Sequence, residues 1–358
     1  MPNLARSMKA AFTIMAALIA LASGPGSAAE TGRRILILHS TTAESITGRP
    51  QQEGAIKALE DAGFCPGGNL RMGIHAMAAH PGKDTVETIS RQISDAVSRI
   101  ARFRPEIILT IGDTAFATVA LPLARTPISI VFSGLRGQPE TYNRFIRFMK
   151  SRRHPGHNIT GVYEKRHIRH ALEILSRVTD LKKVRMVHDL TPTGRVIAEQ
   201  VALELQPENA MPPLSYRTEQ VDLDSWEAFQ QEIVTINASP EIDAFYLGAL
   251  MLKDADGHAH SATDIIQYAI AHATKPAIGI DATAINHGLY GGTSVDFYAM
   301  GYQAGEKIAE ILGGAEAGSL PIQDAQTVTL VFNLVRSETL GLKIPSEILL
   351  AADEVFTR

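Results

Sequence analysis

The chain has 358 residues, 45% hydrophobic and 20% charged, with 28 Gly and 18 Pro, which excludes a disordered tail, a collagen repeat and a coiled coil. At about 150 residues per domain the length suggests two domains, each able to bury its own core. A single cysteine, Cys65, excludes an intrachain disulfide and any centre needing several thiolates, and a formal charge of −4 lacks the Lys and Arg excess that nucleic acid demands.

At the amino terminus Arg6 and Lys9 precede an apolar run over 10–22, followed by small residues with Ser27 and Ala29 at the positions a signal peptidase needs. The run of about 13 residues is too short to span roughly 30 Å of hydrocarbon, so residues 1–29 read as a secretory signal peptide cleaved near Ala29. No cysteine follows to be lipidated, and loss of Arg6 and Lys9 moves the formal charge from −4 to −6. The mature chain is expected to be soluble and periplasmic or secreted.

Short apolar runs then alternate with longer helical periods, the pattern of parallel strands joined by crossover helices. Strands are expected over 35–38, 70–77, 107–111 and 128–132. Helices are expected over 51–62, through Val86, Ile89, Ile93, Val97 and Ile100, and from Asp113 or Thr114 onward. Residues 134–160 show no sustained period and read as a long connection. The pattern restarts with strands over 184–187, 214–218, 242–247 and 277–280 and helices near 166–177, 193–206, 224–237 and 262–273. A helix over 299–312 and a strand over 327–332 close the chain, with no periodicity to say which half they join. The expected fold is α/β, two Rossmann-like lobes with parallel sheets and a ligand cleft between them. The expected domains are a signal peptide over 1–29, lobe 1 over 30–157 plus 290–358, and lobe 2 over 158–289.

Open α/β sheets bind ligands beyond the carboxyl ends of their strands, which draws attention to His39-Ser40-Thr41, Gly112-Asp113-Thr114, Ser133-Gly134, His188-Asp189, Gly248 and Asp281. Small and hydroxyl residues there leave room and expose amides that favour a carboxylate or phosphate. The candidate ligand residues are Ser40, Thr41, Asp113, Thr114, Ser133, Gly134, Asp189, Gly248 and Asp281. Thr114 leads for an anionic group and Asp281 or Asp189 for an ammonium; helix capping is the plainer alternative for Asp113, Thr114 and Asp189 taken singly. Phe132, Tyr163, Tyr246, Phe297 and Tyr298 offer a stacking wall or, more simply, core.

Motifs of known chemistry are missing from the sequence: no Gly-x-Ser-x-Gly elbow, no phosphate loop and no dinucleotide fingerprint. The pairs His154/His157, His167/His170 and His258/His260 lack further ligands, Asp254 to Gly257 starts like a calcium loop without its later carboxylates and reads as a turn before the next helix, and Cys65 reads as a packed thiol. No catalytic residue, metal or cofactor is expected, and the chain is not read as an enzyme.

The run from Asp296 through Gly301 and Leu312 to Gly314, then Leu320-Pro321-Ile322, Val331-Phe332-Asn333, the stretch 340–345 and the stretch 352–355 resembles the carboxyl-terminal signature of the ABC transporter substrate-binding protein family, which includes tryptophan- and tyrosine-binding members. Asn158 to Val162, the strand leading to Thr114, Pro127 to Phe132, and Gly54 to Gly63 with Gly68-Asn69 extend the resemblance over nearly all of the mature chain. It implies a type I periplasmic binding protein fold with three chain crossings, closing on ligand like a hinged clamp. Hinges are then expected near 156–161, 282–292 and 313–321. Many members carry Asp-Pro after the strand ending here at Phe132, where this chain has Ser133-Gly134-Leu135-Arg136, so a contact from that Asp does not carry over.

The function expected is that of an extracytoplasmic solute-binding protein of an ABC transporter, capturing a small molecule, an amino acid or related compound, by two-lobe closure. Its partners are the ligand and an inner-membrane ABC permease. The alternative is a sensory ligand-binding module for a membrane receptor kinase. A monomer is expected, with no nucleic acid bound.

Overall fold

The computed structural model describes residues 32–80, 84–206, 215–249, 251–279 and 281–357. The expected leader over 1–29 and the expected strand ends at Leu214 and Ile280 lie outside them. Two compact units are present. The first takes the chain through Glu164 and again over Asp296–Thr327; the second takes Lys165–Val295 and the chain from Val328 on.

The first unit contains β1 (Arg33–His39), α1 (Gly48–Asp61), β2 (Leu70–Ala76), α2 (Val86–Phe103), β3 (Ile107–Ile111), a short α3 (Asp113–Ala115) continued by a π-turn and a 3-10 turn, β4 (Ser129–Leu135), α4 (Pro139–Phe145) and β5 (Ile159–Tyr163). In the second unit follow α5 (Ile168–Val178), β6 (Lys183–Asp189), α6 (Pro192–Glu204), β7 (Arg217–Leu223), α7 (Trp226–Ala238), β8 (Ala244–Leu247), β9 (Met251–Lys253), β10 (Ala259–Ser261), α8 (Ala262–His272), β11 (Ala277–Ile278), α9 (Ala282–Asn286) and β12 (Gly291–Val295). The chain returns to the first unit for α10 (Phe297–Leu312) and β13 (Gln323–Asp324). It ends in the second with β14 (Val328–Asn333), α11 (Leu334–Thr339), α12 (Ser346–Leu350) and β15 (Glu354–Phe356).

The first sheet runs β13-β5-β4-β3-β1-β2 and is parallel throughout. Its inner strands are apolar on both faces because helices cover both; Ile35, Leu36, Ile37 and Leu38 are all buried. The second sheet runs β15-β14-β12-β11-β8-β6-β7, and in it β14 lies antiparallel to β12. The fold is therefore α/β with two Rossmann-like units, one of them carrying an antiparallel pair.

The division of the chain differs from the one expected. Residues 158–164 stay with the first unit because β5 completes its ladder, Ile159 lying opposite Ile130. Residues 290–295 and 328–358 belong to the second, because β12 and β14 pair from Gly291↔Phe332 to Val295↔Val328. The crossings fall at 164/165, 295/296 and 327/328, outside the hinge positions expected. Partner choice in a sheet is a long-range pairing, which periodicity along the chain does not carry.

Two local departures have identifiable causes, and one expected turn is present. The stretch expected as a loose connection contains α4 and is tied down by side chains: Asn143 Oδ1 accepts from the amides of Phe148 (2.8 Å) and Met149 (2.9 Å), and Arg152 meets Glu140 (2.8 Å) and Asp324 (3.0 Å). Asp254 to Gly257 is the turn of the β9–β10 hairpin, with Gly257 at φ 83. Cys65 is exposed, not packed; it sits in a turn where its backbone is engaged, its amide donating to Asn69 Oδ1 at 2.9 Å.

One packing contact positions the candidate site. Helices α1 and α10 meet at glycines: a Cβ on Gly301 would lie 2.0 Å from the Gln51 carbonyl, and one on Gly54 would lie 2.1 Å from the Tyr298 carbonyl. Only glycine permits that approach. It seats Gln51, 3% exposed, beneath the end of β4.

Candidate functional site

The carboxyl ends of β1, β3 and β4 are neighbours in the first sheet, Leu38 lying opposite Thr110 and Thr110 opposite Phe132. The chain leaves β1 at Ser40 and β3 at Gly112, whereas Ser133, expected just past its strand, lies within β4 opposite Ile111. Ser40 is buried, and its Oγ accepts from the Ala115 amide at 2.9 Å, so it caps the turn after β3. Ser133 is fully buried and donates from Oγ to Gln51 Oε1 at 2.7 Å, while its carbonyl accepts from the Gly112 amide at 2.9 Å. Gly134 sits in the bulge between Ser133 and Leu135 at φ 71, where a Cβ would meet the Gln51 amide at 2.8 Å. Glycine is required there on both counts.

Asp113 also serves the protein. Its carboxylate accepts from the amides of Arg136 (3.2 Å) and Gly137 (3.1 Å) and from the Tyr142 hydroxyl (2.5 Å). Burial first, then this carboxylate, raises the Tyr142 phenol well above its usual range. The loop after β4, which sequence reasoning treated as a departure from the family pattern, is thus held to the end of β3. Two hydroxyls remain uncommitted. Thr114 and Thr41 are half-buried, and among the described residues neither hydroxyl has a hydrogen-bond partner, although the Thr114 carbonyl accepts from Thr118 Oγ1 at 2.7 Å. Arg136 reaches over the same edge, its guanidinium 3.7 Å from the Glu164 carboxylate.

In the second unit the ends of β6, β8 and β11 are adjacent, Val187 opposite Leu247 and Ile278 opposite Tyr246. Asp189 is 1% exposed and accepts from the amides of Thr191 (2.8 Å) and Met251 (3.2 Å). Its carboxylate orders the turns after β6 and β8. Asp281 is half-buried and caps α9, one oxygen accepting from the Ala284 amide at 2.9 Å. Gly248 donates its amide to the Val187 carbonyl at 2.8 Å. A Cβ there would lie 2.6 Å from His188 Nδ1 and 2.9 Å from the Tyr246 ring.

Sequence reasoning passed over His188 as a ligand residue. Both its ring nitrogens and the Tyr246 hydroxyl are buried, and among the described residues none of them has a hydrogen-bond partner. Burial lowers the His188 imidazole to about 4, against the opposing pull of Asp222 and Asp189, so it is neutral near pH 7. The signal available in the sequence was a histidine one residue before the end of β6, next to the buried run Met186-Val187. Of the aromatic wall, Phe132, Tyr163 and Tyr246 are buried and Tyr298 is exposed. His260, from one of the histidine pairs, stacks on Trp226 at 4.0 Å. Among the described residues no group of three or more His, Cys, Asp or Glu could hold a metal ion, and no helix is long and apolar enough to cross a membrane.

The tyrosine-binding protein of Clostridioides difficile (strain R20291) is 22% identical over 284 residues, covering 79% of this chain and 74% of the relative. A ligand-free, open substrate binding protein with adhesive properties from Clostridium difficile superposes with a TM-score of 0.66 at 18% identity, over 91% of this chain and 100% of that one. A Streptococcus pneumonia domain in complex with L-Trp gives 0.61 at 17% identity, again over 91% and 100%. At such identities the likeness concerns the fold, that of the type I periplasmic binding proteins. The family model described as ABC transporter substrate binding protein matches residues 47–356. The chain belongs to the ABC transporter substrate binding protein family.

Proposed function

We propose that this protein captures a small molecule with an amino-acid head group outside the cytoplasm and presents it to an ABC permease, making and breaking no bond. An aromatic amino acid is the first class to test, because relatives with this fold carry tyrosine and tryptophan. The observation that carries the reading is the uncommitted Thr114 hydroxyl at the carboxyl edge of the first sheet, with Arg136 just past the end of the neighbouring strand β4, its guanidinium 3.7 Å from Glu164. A hydroxyl and a guanidinium together suit a carboxylate. In the second unit Asp281 is the candidate partner for an ammonium. Ser40, Asp113, Ser133, Gly134, Asp189 and Gly248 enter the proposal as the frame that sets the edges, and Thr41 as a second free hydroxyl.

Capture by closure of two lobes, expected from the sequence, is part of the proposal: contacts made only in a closed form would shift the population toward it. Removal of residues 1–29 in export belongs to it as well, checked by the mass of the protein recovered from the periplasm.

The test is calorimetry of the mature chain with L-tyrosine, L-tryptophan and L-phenylalanine. Saturable binding to at least one is expected. Thr114→Ala should weaken it about tenfold, the worth of one hydrogen bond to a charged group, without changing the melting temperature. Wild-type affinity in Thr114→Ala removes that residue from the site, and a ligand-dependent pull-down of a sensor kinase instead of a permease replaces delivery with sensing.

A further inference from the structure

The first sheet has a second edge, at the amino ends of its strands and opposite the strand ends described above. A cleft of about 370 Å³ opens there beside the starts of β1 and β2, and of the described residues that line it only Arg34 and Arg71 carry charge. Gly32, Gly67 and Gly68 contribute no side chain to its walls. The amides of Gly67 and Gly68 are spent inside their own turn, on the carbonyls of Leu70 (3.0 Å) and Cys65 (3.0 Å). This turn therefore gives room, and recognition falls to the guanidinium groups. Both can be reached from solvent, Arg71 being exposed and Arg34 half-buried.

The two arginines are placed at a cost. Arg34 and Arg71 lie opposite each other in the β1–β2 ladder, where strands are about 4.8 Å apart and like charges at facing positions repel. Further arginines surround them. Arg34 Nε donates to the Arg104 carbonyl at 2.7 Å, on a residue held in the left-handed region at φ 51. Arg71 and Arg99 both lie over the Phe103 ring, their guanidinium carbons 5.7 Å and 5.3 Å from its centroid. His75 of β2 registers the same field: burial first, then Arg99, holds its imidazole below the ordinary value, with Arg102 adding to the effect and Asp95 opposing it. The Glu106 carboxylate is engaged by Arg33 at 3.1 Å and by the Arg34 amide at 3.2 Å. In a chain of formal charge −4, such a concentration of arginine is a local feature.

We infer that the cleft at Arg34 and Arg71 is a binding subsite for a phosphate group, carried either by a small soluble compound or by a lipid head group. An anion placed between facing guanidiniums relieves their repulsion, and each guanidinium is a planar fork that matches phosphate oxygens two at a time. A carboxylate has oxygens for one such fork, whereas a phosphate can serve both. The subsite stands at the opposite edge of the sheet from Thr114, so it does not depend on the amino-acid reading above.

The test uses the mature chain and two probes: inorganic phosphate, titrated by calorimetry at constant ionic strength, and vesicles of phosphatidylcholine with or without phosphatidylglycerol, followed by sedimentation. Saturable phosphate binding would identify a soluble phosphate compound as the occupant; sedimentation only with the phosphatidylglycerol vesicles would identify a lipid head group. Arg34→Gln and Arg71→Gln are each expected to weaken phosphate binding about tenfold or vesicle binding about fivefold. Arg71→Gln should melt at the same temperature or higher in chloride, since it removes one of two facing like charges. Arg177→Gln removes the same charge from an exposed position in the second unit and is expected to leave binding unchanged. A wild type that takes neither probe overturns the inference. Binding that survives in both cleft variants overturns it too, as does binding that Arg177→Gln weakens equally, which would reduce the effect to overall charge.

Discussion

His188 illustrates how a single buried side chain sets a property of the whole protein. Its imidazole titrates near 4 in the folded chain against 6.5 for an ordinary histidine. Between those values the unfolded chain holds a proton that the folded chain does not, so stability rises with pH through this window and is lost on acidification. The shift amounts to about 3 kcal/mol at most. Urea denaturation from pH 7 to pH 4 should show this loss, and His188→Leu should flatten it; an unchanged slope in the variant would assign the acid sensitivity elsewhere. Asp113 is a second case. Removing its carboxylate strands the Arg136 and Gly137 amides and the Tyr142 hydroxyl together, so Asp113→Ala should cost about 2 kcal/mol in the same assay, more than Tyr142→Phe. At this scale the sequence singled out Asp113 and Asp189 as polar residues at strand ends, but apart from Thr191 their partners lie far along the chain, and nothing in local composition distinguishes a carboxylate awaiting ligand from one holding a loop.

Helix α10 and helix α1 show the same limit at the level of elements. The period of apolar residues over 299–312 identified a helix, and the structure places it at Phe297–Leu312. Within that helix, Gly301 and Gly305 have low intrinsic helix propensity. In the fold they are the contact itself, since side chains there would lie 2.0 Å and 2.6 Å from the backbone of Gln51 and Ala55. Gly301→Leu should therefore cost about 3 kcal/mol or more by overpacking, and by displacing Gln51 it should loosen the Ser133 bond at the end of β4. Chemical denaturation measures the first effect; faster amide exchange at Ser133 and Gly134 measures the second. Strands β1, β3 and β4 were legible because short, largely apolar runs between turn residues leave few alternatives, and β6 was legible from Val184, Met186 and Val187 despite Arg185. The β9–β10 hairpin was not, since strands of three residues carry no period.

For the molecule as a whole, the segment from Val328 onward is decisive. Strand β14 lies between β12 and β15, Arg336 donates to the carbonyls of Ile270 (3.0 Å) and Ala273 (2.8 Å), and Asn333 donates to that of Ile285 (3.0 Å). Phe332 and Ile348 share the core of Val184 and Met186. A chain ended at Thr327 should thus lose the cooperative unfolding and protease resistance of residues 165–295 while residues 32–164 stay protected, as limited proteolysis with mass spectrometry would record. Survival of both units would place the stability of the second sheet in its first five strands. The sequence by itself determined the α/β class, the alternation of strand and helix, the family resemblance and the strand ends from which a ligand site is proposed, because these depend on short-range patterns of apolar and turn residues. The tertiary structure decided which unit receives the last thirty residues, which strand-end side chains are tied to the protein and which stand unpaired, and that His188 and Tyr246 meet, because each of these depends on groups brought together across the sheet from distant parts of the chain.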